Sequence, residues 1–216
     1  MNLPAPRAQA LMIEGPAGRL EALLEQPPAQ SQLAAPAAFG VICHPHPLHG
    51  GSMQNKVVYT LARACQERGM PTLRFNFRGV GASAGSYDEG RGETQDALAV
   101  VAAGRQRWPH AALTLAGFSF GAVVSLMAAA AAAPSRLISV APAVTRFGLA
   151  SMARPACPWL IVQGDADELV DAPEVQAFAA QFSPPPQLAL LPGVGHFFHG
   201  RLDQLRDAAI AFLAAT

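Results

Sequence analysis

One serine in this chain is flanked by the small residues that a nucleophile needs, in the stretch Gly117-Phe118-Ser119-Phe120-Gly121. A serine hydroxyl attacks an acyl carbon only when it is presented openly to a base and to a substrate. A sharp turn from strand to helix presents it in this way, and the close backbone approach at such a turn requires glycine on either side. The pattern predicts that Ser119 is a nucleophile, with a serine that caps the following helix as the alternative.

The general base that such a serine needs is predicted to be His196. Only two histidines follow Ser119 in the chain, His196 and His199. His196 lies in a glycine-rich loop directly after the apolar run 188–191, at the carboxyl end of a predicted strand. His199 stands at the start of the last predicted helix, where a surface or capping role is typical.

The acid that orients the histidine has few candidates, because residues 122–164 contain no Asp or Glu. Where a serine sits on this kind of turn, the order along the chain is serine, acid, histidine. The acid therefore lies after the next predicted strand, where Asp165 and Asp167 both stand. We expect Asp167, which precedes the apolar pair Leu169-Val170, and Asp165 is its rival. Turn formation and helix capping are the other roles for Asp165 and Asp171.

Acyl transfer also needs two N–H donors for the oxyanion of the tetrahedral intermediate. The residue after the nucleophile supplies one of them, which here is Phe120. The second is expected from the loop after the strand predicted at 39–43. Pro45 and Pro47 in that loop have no N–H, which leaves His46 or Leu48, and we favour His46.

The same loop holds three histidines, His44, His46 and His49, and these suggest a metal site as an alternative. On an extended segment His44 and His46 point the same way. No carboxylate or cysteine nearby completes a ligand set. We therefore expect histidines that line an active-site loop, with no metal and no cofactor.

Apolar runs alternate with helical patterns along most of the chain. A hairpin with strands at 9–13 and 20–24 is predicted first, and a loop at 26–38 follows it. Further strands are predicted at 39–43, 72–77, 113–116, 137–141, 159–162 and 188–191, and helices at 55–68, 92–107, 122–133, 173–182 and 201–215. This alternation predicts an α/β fold in one domain, 1–216, with a mostly parallel twisted sheet, an N-terminal antiparallel hairpin and helices on both faces. Ligands bind at the carboxyl ends of the strands in such sheets.

The expected site is open, because residues 141–158 permit a short helix between two strands but no lid domain. The side chains expected to form the pocket are Leu48, Tyr87, Phe147 and Met152. A partly apolar mouth favours a small acyl substrate over a long lipid. If the substrate is charged, Arg78 or Arg146 is the expected anchor.

The charges balance, with 15 Lys and Arg against 15 Asp and Glu. Neither nucleic acid nor a membrane is expected as a partner, because both bind basic surfaces. The three cysteines, Cys43, Cys65 and Cys157, are an odd number without close pairing, which favours a reducing compartment. No signal peptide is expected, and the longest apolar stretch is too short to span a bilayer. We expect a cytoplasmic monomer or homodimer.

Four segments of the chain together carry a family resemblance. They are His44-Pro45-His46-Pro47…Gly50-Gly51-Ser52-Met53…Asn55-Lys56, Arg74-Phe75-Asn76-Phe77-Arg78-Gly79-Val80-Gly81…Ser83, Gly117-Phe118-Ser119-Phe120-Gly121 and Gly193-Val194-Gly195-His196-Phe197-Phe198. They resemble the α/β-hydrolase superfamily, and in particular its small bacterial members without a lid, near dienelactone hydrolase and the prolyl-oligopeptidase-like esterases. Dienelactone hydrolase has a cysteine nucleophile where this chain has Ser119. The resemblance implies the α/β-hydrolase fold and hydrolysis of an ester or related acyl group without a cofactor.

The expected function is hydrolysis of a small-molecule ester or related acyl substrate through an acyl-enzyme on Ser119, with His196 as base and Asp167 as orienting acid. A peptidase or amidase on the same three residues is one alternative. A non-catalytic binding module with the same fold is another. A metal-dependent hydrolase built on the three histidines of the 44–49 loop is the last.

Overall fold

Eight strands form one mixed sheet in the computed structural model, which describes residues 7–27 and 36–215. Their bounds are β1 Arg7–Gly15, β2 Gly18–Gln26, β3 Ala38–Cys43, β4 Thr72–Phe75, β5 Ala112–Phe118, β6 Arg136–Val140, β7 Trp159–Gly164 and β8 Gln187–Leu191. The order across the sheet is β1-β2-β4-β3-β5-β6-β7-β8. β2 pairs antiparallel with β1 and β4, and the remaining neighbours pair parallel. The predicted α/β fold with its N-terminal hairpin is confirmed. Most of the loop predicted at 26–38 lies outside the described residues.

Five helices cover the two faces of this sheet within the described part of the chain. Their bounds are α1 Lys56–Glu67, α2 Arg91–Arg107, α3 Phe120–Ala132, α4 Ala172–Ala180 and α5 Leu202–Ala214. One apolar cluster joins the sheet to α2, α3 and α4, and a second joins it to α1 and α5. Within residues 7–27 and 36–215, no helix has the length and apolar character needed to cross a membrane.

The parallel strands are apolar on both sides because both faces of the sheet are covered. In β3, Val41 packs toward α2, α3 and α4, whereas its neighbour Ile42 packs toward α1 and α5. Parallel pairing places Cys43 beside Gly117 at the ends of β3 and β5, and Gly164 beside Leu191 at the ends of β7 and β8. The loops that follow these four strands therefore meet at one edge of the sheet.

The strand predicted at 72–77 ends at Phe75, since Asn76 keeps one bond to β2 and Phe77 bonds to a side chain instead of a neighbouring strand. The Asn76 N–H donates to the Glu21 carbonyl at 2.8 Å. The Phe77 N–H donates to Nε2 of His44 at 3.0 Å. These bonds turn the chain toward the loop after β3, so the end of β4 supports that loop.

A buried ion pair between Glu25 on β2 and Arg74 on β4 also supports the loop after β3. The two side chains are 2% and 4% exposed, and Nε and Nη2 of Arg74 donate to the carboxylate at 2.7 and 2.9 Å. The third guanidinium nitrogen, Nη1, donates to the carbonyl of Met53. The Met53 N–H donates to Oδ1 of Asn76 at 2.8 Å. Both backbone groups of Met53 are therefore held by β4 and the residue that follows it.

Replacing Glu25 with alanine is expected to lower the free energy of unfolding by about 3–5 kcal/mol, because Arg74 then keeps a buried charge without its partner. Glu14→Ala is the matched control, since Glu14 lies on the same hairpin with an exposed side chain. Its expected effect is within about 0.5 kcal/mol. Urea denaturation followed by circular dichroism measures both. Equal losses in the two variants would contradict the structural role of the ion pair.

Candidate active site

Ser119 occupies the turn between β5 and α3, in a backbone conformation that is rare for a residue with a side chain. Its φ is 55° and its ψ is −116°. A Cβ on Gly117 would lie 2.1 Å from the Gly121 carbonyl oxygen, and a Cβ on Gly121 would lie 2.3 Å from that of Cys43. Only glycine fits at these two positions. The Ser119 hydroxyl makes no capping hydrogen bond to α3, so the helix-capping alternative does not describe it.

The structure brings the hydroxyl of Ser119 to the ring of His196, with 3.1 Å between Oγ and Nε2. His196 is buried in the loop after β8, and its ring lies 5.0 Å from that of Phe118. The other ring nitrogen, Nδ1, lies 2.8 and 3.1 Å from the two carboxylate oxygens of Asp167. A carboxylate only accepts, so Nδ1 carries the proton and Nε2 is free to accept from Ser119. Ser119, His196 and Asp167 thus form a hydrogen-bonded row. His199, which is exposed beside Phe197, is not part of it.

Asp167 is held in its ionised form by a set of donors. Its Oδ1 accepts from the backbone N–H groups of Leu169 at 2.9 Å and Val170 at 2.8 Å. Burial by itself raises the pKa of Asp167, but the hydrogen bonds from His196, Val170 and Leu169 outweigh it, so the pKa lies below its ordinary value. The carboxylate is therefore charged throughout the neutral range.

The rival carboxylate, Asp165, has a different place. Its side chain accepts a hydrogen bond from the Gly193 N–H at 2.6 Å. That bond ties the loop after β7 to the loop that carries His196. The structure therefore places Asp165 as a turn residue that fixes the neighbouring loop, and places Asp167 against the imidazole.

The two N–H groups expected to face the oxyanion are those of His46 and Phe120. Within residues 7–27 and 36–215, neither donates to another protein atom. The N–H of Leu48 is engaged, because it donates to the Nδ1 of His46 at 3.2 Å. The N–H groups of His49 and Gly51 both donate to the His46 carbonyl at 3.1 Å, which sets that peptide in a tight turn. The sequence left His46 or Leu48 as the donor from this loop, and of these two only the His46 N–H stays available.

A cavity of about 470 Å³ opens at Ser119 and His196. Its other lining residues come from the loops after β3, β5, β6, β7 and β8, and they are Pro45, His46, His49, Gly50, Gly51, Asn55, Phe120, Ala143, Arg146, Phe147, Leu169, Val170 and Phe197. Most of these were not predicted as pocket residues. Some could have been predicted from their position in loops that follow strand ends. Leu169 and Val170 come shortly after Asp167, and Phe197 comes directly after His196.

Of the four predicted pocket residues, only Phe147 lines this cavity. Leu48 is 67% exposed in the short turn Pro47–His49 and does not line the cavity. Tyr87 lies behind the cavity, with its ring 4.9 Å from that of His46. Met152, which directly follows the short turn Leu149–Ser151, lines a separate apolar cavity beside α3.

The two arginines expected as anchors for a charged substrate differ in their partners and in their position relative to the cavity. Arg78 is committed to Asp96, with Nε and Nη2 donating to the carboxylate at 3.0 and 2.7 Å. That pair is largely buried, so Arg78 is a structural residue. Arg146 lines the cavity, and its Nη2 donates to the Leu169 carbonyl at 3.3 Å.

His44 does not fit the metal-site alternative. Its ring is fully buried, with Nδ1–H donating to the Pro45 carbonyl at 2.6 Å and Nε2 accepting from the Phe77 N–H at 3.0 Å. Both nitrogens are therefore occupied. Burial lowers the pKa of His44 to about 4, so the ring is neutral in the folded protein. The described residues hold no group of three or more His, Cys, Asp or Glu arranged for a metal ion.

Known proteins are similar to this chain over most of its length. Residues 17–156 match the family model described as X-Pro dipeptidyl-peptidase (S15 family). An α/β serine hydrolase without a lid from Xanthomonas campestris is 43% identical over all of both chains, with a TM-score of 0.91. An α/β serine hydrolase homologue from Coxiella burnetii is 46% identical over 99% of both chains, with a TM-score of 0.90. An uncharacterized protein from Rickettsia prowazekii is 32% identical over 94% of this chain and 87% of that protein. These likenesses confirm the resemblance predicted from the four sequence segments.

The lowered pKa of Asp167 predicts how its contribution to stability depends on pH. A carboxyl whose pKa is lower in the folded state stabilises the fold above its unfolded pKa of about 3.9, and this stabilisation is lost as the pH falls through the folded-state pKa. Asp167→Asn is therefore expected to be less stable than the wild type above pH 4, by a difference that shrinks at lower pH. Urea denaturation between pH 2.5 and 7 measures it.

Asp171→Asn is the control for this experiment, because Asp171 is exposed at the start of α4 and its side chain makes no capping hydrogen bond. A stability difference for Asp167→Asn that stays constant from pH 7 down to pH 2.5 would contradict the prediction.

Proposed function

This chain belongs to the X-Pro dipeptidyl-peptidase (S15) family of the α/β serine hydrolases, and on that premise we propose that it hydrolyses a small ester or related acyl substrate through an acyl-enzyme on Ser119. The observation that carries the proposal is the hydrogen-bonded row from Ser119 through His196 to Asp167. The row opens on a cavity of about 470 Å³, which is within the usual range for small-molecule sites.

In the proposed reaction, Nε2 of His196 takes the hydroxyl proton while Oγ of Ser119 attacks the acyl carbon. The negative oxygen of the tetrahedral intermediate accepts hydrogen bonds from the N–H groups of His46 and Phe120. His196 then gives its proton to the leaving alcohol, and the acyl group stays on Ser119. A water molecule, deprotonated by His196, attacks the acyl carbon. The bond to Ser119 breaks, the acid leaves, and His196 returns the proton to Oγ of Ser119. Asp167 accepts the hydrogen bond from Nδ1–H and stabilises the imidazolium in both steps.

The shape of the cavity supports a small acyl group. Its apolar wall is formed by Phe147, Leu169 and Val170. Residues 141–158 form turns and one short 3₁₀ helix, Leu149–Ser151, in agreement with the lidless relative. Without a cover, the cavity offers apolar contact to a short acyl chain but cannot enclose a long one.

A peptidase is the second candidate, because the matching family model is that of a dipeptidyl-peptidase. Such an enzyme acts at a free amino terminus, so its substrate brings an ammonium group that needs a carboxylate partner. The described residues that line the cavity include Arg146 and three histidines but no Asp or Glu. This charge pattern favours an ester over a peptide with a free amino terminus.

A non-catalytic binding module is disfavoured by the conformation of Ser119. Its positive φ costs of order 1–3 kcal/mol, and such strain persists mainly at functional sites. A module that only binds gains nothing from holding a hydroxyl in that conformation against His196.

Ser119→Ala is expected to abolish covalent labelling by a fluorophosphonate probe and to lower kcat for p-nitrophenyl acetate by at least about 10⁴-fold, because the nucleophile is gone. Gel fluorescence measures the labelling, and release of p-nitrophenol measures turnover. Ser125→Ala is the matched control, since Ser125 is a buried serine on α3 whose hydroxyl bonds only to its own helix. Labelling of the Ser119→Ala protein would refute the proposal.

The same assay distinguishes the peptidase candidate. An alanyl-proline p-nitroanilide replaces the ester, with wild-type protein and Ser119→Ala run side by side. Turnover of this anilide at a higher kcat/KM than p-nitrophenyl esters would replace the esterase proposal by the peptidase.

Gly51→Ala is expected to lower kcat by about 10²–10³-fold, because it displaces the donor peptide of His46. A Cβ on Gly51 would lie 2.1 Å from the Pro45 carbonyl oxygen, so the loop must move. Gly50→Ala is the matched control, since a Cβ there meets nothing within 4 Å and costs only backbone strain at φ 76°. Steady-state kinetics compares the two variants, and thermal unfolding shows that both are folded. Similar kcat values in the two variants would contradict the assignment of the His46 N–H.

A further inference from the structure

The cavity at Ser119 has a one-sided charge pattern. Among the described residues that line it, the ionisable side chains are Arg146, His46, His49 and His196. Two carboxylates lie beside the lining residue His196 without lining the cavity themselves. That of Asp167 is fully buried and occupied by His196 and by two backbone N–H groups, and that of Glu168 accepts from the His196 N–H at 3.1 Å. A substrate in this cavity therefore meets positive charge with no negative charge facing it.

Arg146 is the fixed source of that charge. Its single hydrogen bond within the described residues is to the Leu169 carbonyl at 3.3 Å, and no carboxylate of those residues lies within ion-pair distance. Glu174, on the neighbouring α4, accepts from the hydroxyl of Thr145 instead, at 3.1 Å. The contact with Leu169 holds the guanidinium at the cavity wall and leaves most of its N–H groups open to a ligand.

The imidazole beside it does not compete for the same role. Partial burial, together with the charges of His49 and Arg146, keeps the pKa of His46 below its ordinary value. At neutral pH His46 is therefore uncharged, and Arg146 carries the permanent charge of this wall.

We propose that Arg146 binds a carboxylate on the substrate, so that the preferred substrates are esters that carry an anionic group besides the scissile bond. This inference rests on the proposed serine hydrolase activity and names its substrate class. A guanidinium offers two parallel N–H donors to a carboxylate, in a geometry that a neutral ester cannot use. The apolar side chains of Phe147 and Leu169 flank the charge and accept the carbon chain between the carboxylate and the ester.

The test compares two pairs of esters that differ in one charge. p-Nitrophenyl hydrogen adipate against p-nitrophenyl hexanoate places the carboxylate on the acyl side. 4-Carboxyphenyl acetate against phenyl acetate places it on the alcohol side. For each pair the measured quantity is the ratio of kcat/KM for the charged ester to kcat/KM for the neutral one, after subtraction of uncatalysed hydrolysis.

Arg146→Gln is expected to lower this ratio by about 10–100-fold in at least one pair, mainly through a higher KM for the charged ester. Arg146→Lys is expected to restore part of the ratio, since it returns the charge without the planar fork. Raising the salt concentration is expected to lower the wild-type ratio. Arg206→Gln is the control, because Arg206 lies on α5, paired with Asp207 and remote from the cavity lining, and its ratio is expected to equal that of the wild type.

Unchanged ratios in Arg146→Gln, in a protein that still hydrolyses the neutral esters, would overturn the anionic-substrate inference and leave the serine hydrolase proposal standing. A ratio that falls equally in Arg206→Gln would overturn it as well, since the effect would then be that of total charge. Failure of the wild type to hydrolyse any of the four esters or to be labelled by a fluorophosphonate would remove the proposed function, and the inference with it.

Discussion

A buried charge that must be paired determines much of the architecture around the site. Arg74 lies in the sheet with almost no exposure, and it is tolerated there because Glu25 meets it with two hydrogen bonds. The guanidinium has one more donor to satisfy, and that donor takes the carbonyl of Met53. The hydrogen bonds of this buried cation thus connect the hairpin, through β4, to the far end of the loop that carries His46.

The end of that loop nearest to β3 is held by other hydrogen bonds. His44 links the end of β3 to the Phe77 N–H beyond β4, and Asn76 bonds both to Met53 and to Glu21 of the hairpin. The loop is therefore fixed by the segment 74–78 at both ends, through the Phe77 N–H at the near end and the side chains of Arg74 and Asn76 at the far end. This explains why the segment accompanies the nucleophile motif although none of its residues lines the cavity. Its role is to keep the His46 peptide still.

Local pattern was enough to predict the elements and the serine turn, because both depend on short-range rules. Apolar runs marked the strands, and the glycines on either side of Ser119 marked a close backbone approach, where a Cβ on Gly117 would lie 2.1 Å from the Gly121 carbonyl oxygen. The choice between Asp165 and Asp167 was of another kind, since both follow the same strand. It depends on which carboxylate meets Gly193 and which meets His196, and these partners lie 28 and 29 residues further along the chain.

The residues that line the pocket were the hardest to predict, because they too depend on contacts between distant parts of the chain. Met152 and Phe147 lie in one segment without a periodic pattern, yet a short turn sends them to different cavities. Arg78 and Arg146 look alike in the sequence, and only the position of Asp96 on α2 separates a structural arginine from one that faces the site. Such distinctions depend on tertiary neighbours, which a single sequence does not display.

At Ser119 the requirements of backbone stability and of the proposed chemistry favour different residues. Glycine adopts positive φ without the steric repulsion that a Cβ brings, so it is the residue that the backbone favours at this turn. Selection for stability alone would therefore favour loss of the hydroxyl, together with the row of His196 and Asp167 that it completes. Under the proposed function, the side chain at this turn is kept for chemistry at the expense of stability, so stabilised variants of this protein should be sought elsewhere in the fold.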